Sequence, residues 1–171
     1  MTDLIGAVSL AGRFDAGGAI VAGLVGGLAF LIVVTMGYAV GMTRMNFLYI
    51  LGSMLTPKAP RSTVYAIGLG IHAMASAGFG LVHAGILHAI GVTSVAQAAG
   101  WDLLIGGVHG LLVLIALPMV LELMHPLVHQ GEIERPGIAL TGFGAMTPIG
   151  SLAAHVAFGV VTGALYATFV L

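Results

Sequence analysis

Four long apolar stretches constrain this chain more than any other feature of its sequence. They cover about residues 17–41, 63–91, 101–123 and 148–171, and about 20 mostly apolar residues in a helix are what a bilayer's hydrocarbon core requires. Strands of a membrane barrel would alternate polar and apolar residues over about ten positions, and no segment does so. Of the 171 residues, 59% are hydrophobic and 6% charged, against about a quarter charged in an average soluble domain. Too little polar surface remains to enclose a water-soluble core. The expected fold is all-α, a transmembrane four-helix bundle forming one integral membrane domain over residues 1–171, with the lipid bilayer as its first partner.

The same arithmetic excludes whole classes of function. Five Lys and Arg stand against six Asp and Glu, which leaves no basic footprint for a nucleic acid. With no cysteine, disulfides, thiolate metal sites and iron–sulfur clusters are all ruled out. The first 16 residues hold Asp3, Arg13 and Asp15 and lack the basic start, short apolar core and cleavage site of a removable signal peptide.

Charge placement predicts the topology. Arg44, Lys58 and Arg61 fall between the first two stretches and Arg135 between the last two, whereas the segment 92–100 carries neither Lys nor Arg. Positive charge accumulates on the cytoplasmic side, so both termini are expected outside, in a bacterial cytoplasmic membrane. The apolar segment 45–55, bounded by Pro57 and Pro60, is too short to span and predicts an interfacial helix. Residues 124–146, with Glu132, Glu134 and Arg135, read as a solvated connection.

The second and fourth stretches align with each other. Leu69-Gly70-Ile71-His72 matches Leu152-Ala153-Ala154-His155, Gly80 matches Gly163, and His83-Ala84 matches Tyr166-Ala167. Gly26-Gly27 and Gly106-Gly107 form a weaker pair at a slightly different offset. The pattern predicts a parallel duplication of a two-helix unit about an axis along the membrane normal. Glycine pairs at helix-packing spacing, such as Gly23 and Gly27 or Gly159 and Gly163, allow the close backbone approach by which helices associate in lipid.

The segment Met42-Thr43-Arg44-Met45-Asn46, the following Leu51-Gly52, and the His-to-Gly-to-Tyr-Ala pattern of the last stretch resemble a family of small four-span bacterial membrane proteins classed as a domain of unknown function. The resemblance implies a four-span fold and carries no activity and no site residues.

Ionisable residues inside a span are functional candidates by default. His72, His83, His109 and His155 lie well inside, in two layers. His72 and His83 are three turns apart on one helical face, about 16 Å along the axis. Two such layers are what two b-type haems would need, with His72/His155 and His83/His109 as axial ligand pairs. The competing reading is interhelical hydrogen bonding. A second cluster, Glu122, His125 and His129, would share one face if the helix continued through Pro126, and three such ligands would suit a single metal ion. A wet helix end whose histidines favour the C-terminal dipole is the alternative.

No nucleophile–base pair or phosphate loop accompanies these residues. The sequence therefore predicts a small non-catalytic subunit of a larger membrane complex, respiratory or redox in character, or one that self-associates. A transmembrane electron carrier with haem b on the four histidines is the alternative, and a small transporter or metal-binding protein the second.

Overall fold

The computed structural model describes residues 14–171; Asp3 and Arg13, used above for the leader reading, lie outside them. Among the described residues, four helices are long and apolar enough to cross a membrane: α1 (Ala16–Ala39), α3 (Arg61–Ile90), α4 (Val95–Met124) and α6 (Thr147–Val170). The architecture is the all-helical membrane bundle that the four apolar stretches predict. Two short helices, α2 (Phe47–Leu55) and α5 (Pro126–His129), and a 3₁₀ segment (Ile138–Phe143) complete the order.

Local chemistry sets the boundaries. Asn46 caps α2 by accepting from the Tyr49 N–H, and Ser94 caps α4 by accepting from Gln97; each satisfies an amide that the helix itself leaves unpaired. Gly91 ends α3 in the left-handed conformation (φ 73°), where a glycine has no Cβ to clash. The Ser94 cap starts α4 six residues earlier than the apolar run does, which carries Asp102 well inside the helix.

The packing of the two helix pairs repeats the pattern seen in the sequence. On α3, Gly80 lies against Ala19 and Gly23 of α1; on α6, Gly163 lies against Ala98 and Asp102 of α4. One turn on, Gly27 meets Ser76 and His72, while Gly106 meets Gly159 and His155. The α1–α3 and α4–α6 pairs are therefore two copies of one crossing, in which a side chain at any of these glycines would strike the facing backbone or side chain. α1 also packs tightly on α6, whereas α3 and α4, although consecutive, touch only sparingly.

The segment 45–55 contains the short helix α2, which packs on α3 with Gly52 against the backbone of Val64 and Gly68 and with Ile50 and Ser53 buried. One loop expectation needs correction. Residues 125–146 are not a plain solvated connection. Leu127, Val128, Leu140 and Phe143 are buried there and close one end of the bundle. The apolar residues scattered between the charges of this loop supply that cap.

Candidate functional site

On α3, the inward positions are His72, Ser76, Gly80 and His83; on α4 they are Ala98, Asp102, Gly106 and Gly110. Spacings of three and four residues stack each set on one helical face, and the small members let the polar ones meet across the bundle. His83 Nδ1 lies 2.6 Å from Asp102 Oδ1, with the two side chains 1% and 0% exposed. His83 Nε2 lies 3.3 Å from His109 Nδ1. The His109 ring stands edge-on to that of His155 at 4.9 Å between centroids and lies 4.0 Å from that of Phe79.

His155 Nδ1 donates to the Ser151 carbonyl at 2.7 Å, and His72 Nε2 to the Gly27 carbonyl at 2.9 Å. Ser76 Oγ is 3.4 Å from the same His72 nitrogen. Phe30 rests against both His72 and His155, with centroids at 5.3 and 4.9 Å. All four intramembrane histidines are thus in one connected cluster. Asp102, to which the sequence reading assigned no role, anchors it. Its Oδ2 is buried without a hydrogen-bond partner among the described residues.

This cluster borders a cavity of about 220 Å³. Phe30, Phe47, Phe79 and Phe158 give it aromatic walls, and its few polar points are His72, His109, His155, Ser76, Ser151 and the Thr43 and Thr147 hydroxyls. The last two are hydrogen-bonded to each other at 2.7 Å. Residues of α1, α2, α3, α4 and α6 line it, and the sparing contact between α3 and α4 leaves room for it beside that seam. His72, His109 and His155 each satisfy one ring nitrogen within the protein, and among the described residues no side chain engages the other.

The proposed haem pairings meet a different geometry. Two imidazoles sharing an iron place their nitrogens about 4 Å apart on opposite faces of a flat macrocycle, each bond being about 2 Å. His83 and His109 are instead bonded directly to each other. His72 and His155 share Phe30 as a neighbour and each turns a nitrogen to a backbone carbonyl.

The second cluster does not assemble. The residue before a proline is disfavoured in the helical region; α4 ends at Met124 and His125 is extended (φ −83°, ψ 115°). His125 Nε2 turns inward to the Ile50 carbonyl at 3.0 Å, His129 Nε2 bonds the Glu122 carbonyl at 2.7 Å, and the Glu122 carboxylate pairs with Arg135 at 3.2 Å. Among the described residues, no group of three His, Asp or Glu side chains is placed to hold a metal ion.

Fold and cluster together define a class: a four-span membrane bundle with an ionisable core beside an aromatic-walled cavity. Comparison with protein-family models, curated proteins and solved structures gives no match, so the site is read from its own chemistry.

Proposed function

We propose that the protein is a non-catalytic integral membrane subunit of a larger redox assembly, and that it holds a lipid-soluble ring compound of quinone type in the cavity beside the α3–α4 seam. The observation that carries this reading is the cavity's lining, apolar and aromatic except for three imidazoles and a few hydroxyls. Such a surface suits a hydrophobic ring bearing oxygen atoms and offers little to a water-soluble solute. An apolar cavity of about 150 Å³ already accepts benzene. Access through the open α3–α4 seam would be from lipid. The positive residues of the 40–61 and 124–146 connections support a cytoplasmic position for that end and an outward position for the termini.

Structural hydrogen bonding alone would explain the cluster less well. A buried ion pair is often no more stabilising than packed apolar residues of the same volume. Leu or Phe at positions 83 and 102 would hold the seam at smaller desolvation cost.

Titration of the protein in lipid nanodiscs with a short-chain benzoquinone, followed by calorimetry, tests the ligand. Saturable binding that weakens at least tenfold in Ala75→Phe, which fills the cavity from α3, supports it; absence of saturable binding contradicts it. Blue-native electrophoresis of mildly solubilised membranes tests the assembly. A single band at the 17.3 kDa monomer mass contradicts that half.

A further inference from the structure

We infer that Asp102 and His83 share one stored proton and hand it through His109 to an oxygen of the molecule in the cavity. The inference rests on the ligand-binding reading above and adds to it a direction of proton transfer and a preference for a ligand oxygen that accepts.

Asp102 and His83 are buried, and the described cations lie toward the other end of the helices: Arg44 pairs with Glu134, Arg135 with Glu122, Arg61 stacks on Tyr49, and Lys58 is in the α2–α3 turn. The remaining titratable groups around the pair are His109 on α4, His72 and His88 on α3, His155 and Tyr166 on α6, and Asp15 before α1. Tyr166 accepts from the Asp15 backbone N–H at 3.3 Å. Among the described residues no Lys or Arg reaches the pair, and the pair is taken as electrically neutral, because a lone buried charge in hydrocarbon is costly.

Two neutral arrangements exist. In one, a protonated Asp102 donates to His83 Nδ1 and the imidazole carries its hydrogen on Nε2. In the other, Asp102 is ionised and His83 is an imidazolium with hydrogens on both nitrogens. Both arrangements place a hydrogen on His83 Nε2, wherever the Asp102–His83 proton sits. His83 Nε2 then donates to His109 Nδ1, 3.3 Å away. A neutral His109 must carry its own hydrogen on Nε2, the nitrogen without a protein partner, on a ring that lines the cavity.

His109 therefore presents a donor, while His155 Nε2 and His72 Nδ1, whose sister nitrogens donate to carbonyls, present acceptors. When a ligand oxygen carrying negative charge sits against His109, its new O–H bond takes the Nε2 hydrogen. His109 Nδ1 takes the hydrogen of His83 Nε2, and His83 remains neutral with Nδ1–H donating to an ionised Asp102. One proton moves, no electrons do, and the negative charge passes from ligand to carboxylate. Asp102 and His83 are positioning residues in this scheme; of these three relay residues, His109 is the one that lines the cavity.

The first test needs no ligand. ¹⁵N-histidine NMR of the protein in nanodiscs, with His109 assigned by its loss in His109→Gln, should show a protonated Nε2 and a bare Nδ1. A protonated Nδ1 with a bare Nε2 overturns the inference. The second test uses 4-nitrophenol, whose phenolate absorbs visible light and whose phenol does not. Binding to the native protein should bleach the phenolate band, and binding to Asp102→Asn should leave it. Binding to the native protein with the band intact overturns the relay while sparing the cavity. No binding at all counts against the cavity reading, and the NMR result then decides the relay by itself.

Discussion

The two seams that close this bundle occupy equivalent places about the pseudo-twofold axis, yet one is shut and the other open. In the α1–α6 seam, Gly26 lies so close to Thr162 and Phe158 that a Cβ would fall 2.9 Å from the Phe158 carbonyl oxygen. In the α3–α4 seam, the place of Gly26 is taken by Ile105, those of Phe158 and Thr162 by Ala75 and Phe79, and that of buried Ala22 by Trp101, which is 47% exposed. Small residues let the first seam zip backbone to backbone; large ones prop the second apart. The cavity is what the second seam leaves. The same substitution pattern puts His109 where the other copy has Phe30 and Asp102 where it has Gly23. The repeated crossing supplies a frame, and the polar cluster sits where the two helix pairs differ.

The comparison is broken most severely by removing the strut of the open seam. Asp102→Leu leaves His83 buried without its partner and should cost about 3–5 kcal/mol, read as a shift in the SDS-unfolding midpoint. A change below about 1 kcal/mol would mean the pair does not hold α3 to α4. Next, Gly26→Leu overpacks the closed seam and should cost about 1–3 kcal/mol in the same assay, with no direct contact to the cavity.

His72→Gln removes one bond to the Gly27 carbonyl. It should lower stability by about 1 kcal/mol and weaken ligand binding, since this ring is part of the cavity wall. The smallest effect on stability belongs to Ala75→Phe, an exposed position in the open seam. Thermal melting should move by less than about 0.5 kcal/mol equivalent, although benzoquinone binding weakens at least tenfold. Adding bulk is thus expected to be costly at position 26 and cheap at position 75, and equal costs would erase the distinction between the seams.

The spans and the duplication were legible because both are written in contiguous patterns, long apolar runs and the shared His-to-Gly spacing of α3 and α6. Which histidines meet was partly legible. The His72/His155 equivalence follows from the repeat, and both rings do turn inward, to either side of Phe30. The His83–His109 contact follows from their similar depth.

Asp102 was not singled out because the apolar run begins at Trp101, which placed it at a helix edge; only the Ser94 cap upstream reveals that the helix is already under way. Helices that are apolar all round give little sign of which face is inward, so the open seam could not be foreseen. The Glu122, His125 and His129 grouping depended on a helix running through Pro126, and the backbone preference before proline ended it.

Photo-affinity labelling would locate the bound ring on the helices themselves. A benzoquinone bearing a diazirine on its ring, irradiated with the protein in nanodiscs and mapped by peptide mass spectrometry, should label α3 between Ile71 and Phe79 and α4 between His109 and Leu117, the two walls of the open seam. An excess of unmodified benzoquinone should suppress those adducts, and Ala75→Phe should abolish them. Labelling spread over the lipid-facing residues Leu28, Ile32 and Met36 of α1, unaffected by competitor, would contradict the account.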